Sequence, residues 1–277
     1  MEHPEISVII STYNSVEWLD KTLNGYLNQT FKQFEIIIAD DGSTPETAQA
    51  IALFQKKSPF NVIHVWHEDH GFQKTKILNK ALLVCTGEYI LMTDGDCIPR
   101  KDFVETHNRY KKKGFFLSGG YFKLPMDISK SIQESDIEHQ KCFDINWLKE
   151  RGFGDSIKNN KLTARGFISH LLNYITPTNA SWNGHNSSAW KKDLLDVNGF
   201  DERMQYGGED RELGERLMNN GIRSKQIRYS AICVHLDHSR GYVSESALNI
   251  NKEIRNNTKN RQVKQTPFGI IKQEIIL

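Results

Sequence analysis

A mixed α/β fold is the class these 277 residues predict: a Rossmann-like, mostly parallel central sheet flanked by helices. Three observations predict it. Short β-branched runs alternate with stretches of helical period through residues 1–100. The strand-sized runs are apolar without alternation, as strands buried on both faces are. Acidic and turn-forming residues fall just past their ends, where open α/β sheets bind ligands.

The elements follow in order. Ile6-Ser7-Val8-Ile9-Ile10 is the first strand, and Ser11-Thr12-Tyr13-Asn14 breaks it. Val16, Leu19, Leu23, Tyr26 and Leu27 recur at helical spacing across residues 15–28. The second strand, 34–39, runs into Asp40-Asp41-Gly42-Ser43. Thr44 or Ser43 can cap the next helix, which extends to about Lys57 with Pro45 in its first turn. Residues 61–66 read as strand, 74–85 as helix and 89–93 as a fourth strand ending in Asp94-Gly95-Asp96. This alternation implies parallel pairing through right-handed crossovers. The second half is less regular. Strands are expected within 115–124 and helical pieces with loop in 134–165; residues 182–188 are rich in Asn, Gly and Ser. Helix returns at 193–198 and 209–220, the latter closed by Gly221, and a late strand covers 228–235.

Composition excludes several function classes. Lys plus Arg number 36 against 34 Asp plus Glu, a net charge of +2, so no field suited to a dedicated nucleic-acid binder exists. No apolar run approaches the roughly 18–20 residues of a membrane-spanning helix. The N-terminus lacks a basic region, and the apolar run at 6–10 is too short for a signal-peptide core, so a cytoplasmic protein is expected. Cys85, Cys97, Cys142 and Cys233 form no C-x-x-C pair and read as free thiols.

Four constellations carry chemistry. Asp94-Gly95-Asp96 places two carboxylates at a strand end, a pattern that suits Mg²⁺ or Mn²⁺ when a diphosphate completes the shell. Its plain alternative is an Asp-Gly turn with solvated carboxylates. Asp41, also at a strand end, can accept a hydrogen bond from a base or ribose, or belong to an ordinary turn. In Gly207-Gly208-Glu209-Asp210 the glycines permit close approach of a substrate. A carboxylate on the helix that follows can act as general base, or simply answer the helix dipole. His235-Leu236-Asp237-His238 follows a strand, and either histidine can complete a site begun at Asp96. Trp182, Trp190, Asn183, His185 and Asn186 are aromatic and polar groups of the kind sugars meet, although an indole is as often packed inside.

Taken in this order, these segments resemble the family 2 inverting glycosyltransferases of GT-A fold. The residues that carry the resemblance are Ser7-Val8-Ile9-Ile10-Ser11-Thr12-Tyr13-Asn14, Gln29-Thr30-Phe31 and residues 34–43. Gly71-Phe72, Asn79-Lys80-Ala81, Gly87-Glu88-Tyr89-Ile90-Leu91 and Asp94-Gly95-Asp96 follow. Gly199-Phe200-Asp201 with Gly207-Gly208-Glu209-Asp210-Arg211-Glu212 is similar to the acceptor-side segment of galactosyl- and N-acetylgalactosaminyl-transferases. The resemblance spans roughly residues 5 to 240.

It implies a metal-dependent transfer of a sugar from a nucleotide-sugar, a UDP-sugar, to a hydroxyl of a glycan or lipid-linked acceptor in surface polysaccharide or glycoconjugate synthesis. It also implies a small antiparallel acceptor-side subdomain beside the main sheet. Thr12, Tyr13 and Asn14 would line the nucleotide pocket, Asp41 would meet uracil or ribose, and Lys76 and Asn79 would flank the nucleotide. Asp94 and Gly95 would face ribose or metal, and Asp96 would ligate Mn²⁺ or Mg²⁺ together with His235 or His238. Asp210 would be the base, Glu209 would orient a sugar, and Trp182, Asn186 and Gly208 would form the acceptor side. One departure is Gln73, where relatives carry Arg after Gly-Phe; Lys74 or Lys76 can substitute.

On this reading residues 1–248 form one domain, nucleotide-binding in 1–100 and acceptor-binding in 101–248. Residues 249–277 are a basic extension able to rest on an anionic membrane at its inner face, or a solvated helix. Two other functions fit the carboxylates: an Asp-dependent phosphotransferase or phosphohydrolase, and a non-catalytic module that binds nucleotide-sugar or glycan.

Overall fold

The computed structural model describes residues 3–239 and 244–272. In the first half, β1 (Ile6–Thr12), β2 (Phe34–Asp40), β3 (Val62–Trp66) and β4 (Tyr89–Asp94) alternate with α1 (Val16–Leu27), α2 (Pro45–Lys57) and α3 (Lys74–Val84). Then come β5 (Cys97–Pro99), α4 (Phe103–Tyr110), β6 (Phe115–Ser118) and β7 (Gly120–Lys123). The short helices α5 (Met126–Ser131), α6 (Glu134–Glu138), α7 (Ile145–Glu150) and α8 (Asn160–Thr163) lead to α9 (Gly166–Ile175). The chain ends through β8 (Ser187–Trp190), α10 (Lys191–Asp196), α11 (Glu209–Asn219), β9 (Arg223–Gln226), β10 (Ile232–His235) and α12 (Glu245–Asn260).

Seven strands form the main sheet in the order β3-β2-β1-β4-β8-β6-β9. Only β8 runs against the others, pairing antiparallel with both β4 and β6. β1 is buried along its whole length between β2 and β4, which is why it reads as a continuous apolar run. Its residues alternate between two cores. Ile6, Val8 and Ile10 pack with Leu19, Leu23, Ile51 and Phe54 of α1 and α2. Ile9 packs with Ile77, Leu78 and Leu82 of α3 and Leu213 and Leu217 of α11. Glu35 is buried in β2, where a carboxylate would be costly alone. It accepts from the Ser7 hydroxyl at 2.6 Å and from the backbone and hydroxyl of Thr86, so it ties β1, β2 and the entry to β4 together.

The small sheet, β5-β10-β7, has one antiparallel and one parallel pairing. It packs through Ile98, Phe122, Ile232 and Val234 on a third core with α5 to α8. From Asn249 to Asn260 the segment lies in α12, which is packed on α11 rather than free. Asn251 Nδ2 donates to the carbonyls of Gln205, Tyr206 and Gly207, and the Thr258 hydroxyl donates to Glu212 at 2.9 Å. Arg255 and Lys259 both pair with Glu215. The four cysteines are buried free thiols. No helix among the described residues is long and apolar enough to cross a membrane.

Candidate active site

Parallel strands β1, β2 and β4 end side by side, and the loops that leave them meet. Asn14, in the left-handed region at φ 45°, stitches two of those loops. Its N–H donates to Ser43 Oγ and its Oδ1 accepts from Thr44 N–H, at 2.8 and 2.9 Å. Thr12 is buried with its hydroxyl unpaired, while its carbonyl accepts from Asp41 N–H. Tyr13 is exposed and its hydroxyl donates to Asp69 at 2.9 Å. Asp41 lies 2.7 Å from His67 Nε2 and accepts from Gln73 N–H at 2.9 Å. Burial lifts its carboxyl above the usual range, against the pull of His67.

At the end of β4 the Ser11 hydroxyl donates to Asp94, and Lys74 Nζ lies 2.7 Å from the same carboxylate. Burial works to raise Asp94, but Lys74 and Ser11 outweigh it and hold the group well below the usual carboxylate range. Burial likewise opposes the Lys74 cation, yet Asp94, Asp210 and Glu209 keep it protonated far above its usual range. Lys74 therefore stands between the strand-end acid and the acids that open α11.

Gly207 and Gly208 take φ of 108° and 98°, backbone that L side chains rarely adopt, to bring α11 into the cleft. Glu209 is buried and accepts from Gly207 N–H at 2.8 Å. Asp210 follows, with Oδ1 buried and unpartnered. Burial and the adjacent Glu209 push its carboxyl up to about 7, against the opposing charge of Lys74. Gly184 allows this placement, since a Cβ there would lie 2.8 Å from Asp210 Oδ2.

Asp96 sits one residue beyond Gly95, whose N–H donates to Ser11 O at 2.7 Å. His238 Nε2 lies 3.1 Å and His235 Nε2 3.8 Å from Asp96 Oδ2, and one ligand atom from each of the three falls within 4.8 Å of the others. The His235 ring stacks on His238 at 5.7 Å, and its Nδ1 is buried without a partner. A carboxylate and two imidazoles at this spacing fit a divalent cation. The structure thus brings both histidines to Asp96.

Several expected site residues serve the fold instead. Trp182 is 0% exposed, inside the core with Phe116 and α11, and cannot stack on a sugar. Trp190 packs edge-on to Tyr89 at the start of β4, the opposite edge of the sheet from Asp94. Asn186 is buried: its amide donates to Gly120 O and Ala231 O and accepts from His107, joining the two sheets. Asn79 clamps the loop before α11, donating to Phe200 O and accepting from Phe200 N–H at 2.7 Å. Both amides are engaged within the fold, Asn79 also with Glu202 and Asn186 also with His107. Gly208 shapes the entry to α11, and Lys76 has no side-chain partner among the described residues.

Of the polar stretch 182–188, His185 does reach the cleft, and other members of the cleft lacked a clear sequence signal. His185 lies 4.4 Å from the Tyr121 ring, and burial pushes it down to about 4 against the pull of Asp94. His67, Asp69 and Gly184 arrive from loops with no fixed spacing to the carboxylate motifs.

The sheet order, the strand-end carboxylates and the helix that opens at Glu209 define an α/β molecule of GT-A architecture. Solved structures agree at the level of fold. PcManGT from Pyrobaculum calidifontis, in complex with GDP-Man and Mn²⁺, aligns at a TM-score of 0.58 and 18% identity, over 95% of this chain and 63% of that one. S. aureus TarS 1-349 in complex with UDP-GlcNAc aligns at 0.61 and 19%, over 93% and 69%. Residues 7–136 match glycosyl transferase family 2, and residues 171–239 match the N-terminal domain of galactosyltransferase. The chain is thus similar to glycosyl transferase family 2 over its first half and to a galactosyltransferase domain in its second.

Among curated relatives, the uncharacterized glycosyltransferase YfnE of Bacillus subtilis is 28% identical, covering 84% of this chain and 64% of its own length. Chondroitin synthase of Escherichia coli is 26% identical over 89% of this chain and 37% of its own length. The chain thus spans under two thirds of either relative.

Proposed function

We propose that this protein transfers a sugar, with inversion, from a UDP-sugar to a hydroxyl of a glycan or lipid-linked saccharide, serving surface polysaccharide or glycoconjugate synthesis. One observation carries the reading: Lys74 pairs with the strand-end carboxylate Asp94 at 2.7 Å and lies near enough to the helix-start carboxylate Asp210 for their charges to act on each other, while Asp96, two residues past Asp94, meets His235 and His238. A donor-side acid and an acceptor-side acid are what direct displacement needs.

Asp96, His235 and His238 would hold the divalent cation, which when bound offsets the negative charge that grows on a leaving diphosphate. Thr12, Tyr13, Asn14 and Asp41 line the loops where a nucleoside would rest. Asp210 would take the proton of the attacking hydroxyl, a task suited to a carboxyl raised to about 7. Glu209 raises that value by its own charge and holds the loop through Gly207 N–H. Attack from the face opposite the leaving group gives inversion without a covalent intermediate. GDP-Man with Mn²⁺ in PcManGT and UDP-GlcNAc in TarS support a nucleotide-sugar donor.

The deciding experiment is release of nucleoside diphosphate from a panel of UDP-sugars, with and without Mn²⁺ or Mg²⁺ and a saccharide acceptor. Release should require the cation and rise with acceptor. Asp96→Asn should weaken cation-dependent donor binding, whereas Asp210→Asn should bind donor normally and fail to turn over. Release of inorganic phosphate from phosphoesters without acceptor would favour the phosphohydrolase instead.

A further inference from the structure

Helix α9 is built inside out. Its polar residues bond to the protein: Asn173 accepts from Tyr229 N–H and donates to Ser230 Oγ, and the exposed His170 ring meets Tyr110 Oη at 2.9 Å. Ser169 is buried. Its apolar residues face solvent, with Phe167 80%, Ile168 59%, Leu171 43%, Tyr174 89% and Ile175 55% exposed. At 3.6 residues per turn these five occupy an arc of roughly 120°. A surface helix of a globular protein normally turns such a stripe to the core. The residues Gly166–Ile175 include no Asp, Glu, Lys or Arg.

Cations border this helix. Lys225 and Arg109 lie 4.8 and 5.5 Å from the ring of Tyr110, the residue that anchors His170. Burial and Lys112 press Lys225 below its usual range, and no acidic side chain relieves it. Arg165 sits at the helix start beside a cavity of mixed charge, about 570 Å³, lined also by Lys101, Asp144 and the Arg100–Asp102 pair, so it is not one of the free cations. By contrast, Arg255 and Lys259 in α12 are neutralised by Glu215, and Lys272 pairs with Glu202.

The geometry points to α9 as an interfacial helix that seats this protein on an anionic lipid surface, its apolar arc in the acyl boundary and Arg109, Lys112 and Lys225 against the headgroups. An apolar stripe fringed by unneutralised cations matches such a surface in both chemistry and charge. Residues 176–186 run from α9 to Gly184 and His185, so a docked helix would hold the acceptor side of the cleft near the bilayer. The inference stands apart from the proposed transfer reaction, because its readout is partition.

The full chain is co-sedimented with vesicles of phosphatidylcholine alone and with added phosphatidylglycerol, and its mass in solution is measured by light scattering. Binding is expected to the anionic vesicles and to fall with salt. Phe167→Ser/Leu171→Ser/Tyr174→Ser should lower partition by about thirtyfold or more, and Lys112→Glu/Lys225→Glu by about tenfold. If the triple variant melts well below the wild type, Tyr174→Ser alone should still cost about fivefold. Absence of wild-type binding, equal binding to neutral vesicles, or variants that partition like the wild type would overturn the inference. So would a dimer that the serine variants convert to monomer, which would assign the face to a second copy.

Discussion

Asp210 receives opposite instructions from its neighbours: burial and Glu209 favour its proton, and Lys74 favours its charge. The outcome near 7 has two consequences. As the proposed base it would work only when ionised, so kcat/KM should rise with pH up to about 7 and level off above. Asp210→Asn should remove this limb and lower kcat by about a thousandfold. For stability the sign is reversed. A carboxyl raised in the folded state favours folding below its usual range, and that contribution drains away as pH climbs through about 7. Asparagine has nothing to lose, so the variant should melt above the wild type at pH 8 and lose that margin toward pH 5. The difference should be on the order of 1–2 kcal/mol. Lys74→Met tests the same balance from the other side. Without the cation, Asp210 should hold its proton longer and the pH–rate limb should move upward. The fold should lose about 2 kcal/mol at pH 8, where Asp94 and Asp210 face each other uncompensated. A limb unmoved in Lys74→Met would separate Lys74 from the base.

The elements divide by how strongly the sequence marks them. β1, β2 and β4 are buried on both faces and read as unbroken apolar runs, so the strands and the carboxylates after them were legible. β8 is Ser-Ser-Ala-Trp and β9 is Arg-Ser-Lys-Gln; neither has a run or period, and only pairing with β4 and β6 makes them strands. The late strand was legible but is shorter than 228–235, because residues 227–231 form a turn closed by Ser230 and Ala231 N–H on Ile227 O. Side chains spent on backbone groups left no trace in sequence either, which is why Asn79 and Asn186 looked like ligand contacts. The loop of residues 176–186 makes a test at this scale. It brings Gly184 against Asp210, and Gly184→Ala would force that carboxylate away from a Cβ at 2.8 Å. kcat should fall at least about tenfold with donor binding and melting temperature little changed. Unchanged turnover would mean that Asp210 has room to move and that the loop does not set its position.

Across the whole molecule, the C-terminal segment closes what the motifs open. Residues 199–208 carry the chain from α10 into the cleft, and distant groups hold them on two sides. Asn79 of α3 clamps Phe200 from beneath. From above, Asn198 donates to Thr266 O and Ile271 O and accepts from Ile271 N–H, while the Thr266 hydroxyl donates to Asp201. Asn251 in α12 takes up three carbonyls of the turn that precedes Glu209. Buried Glu212 and Arg216 of α11 complete their bonding through Thr258 and Val197 O. Charge composition alone could not reveal this, because a basic helix in solvent and one packed through its Asn and Thr residues have the same count. Removing residues 245–277 should therefore leave three carbonyls without partners and cost the buried Glu212–Arg216 pair its bond from Thr258. The melting temperature should fall by about 10 °C or more, and the base should lose its position even in the molecules that remain folded. Asn251→Ala isolates the local part of that effect: about 1–3 kcal/mol of stability, with kcat reduced more than donor affinity. A truncated chain with unaltered melting and turnover would show that the segment is an appendage, and that the turn before Glu209 is rigid by virtue of Asn79 and its own glycines.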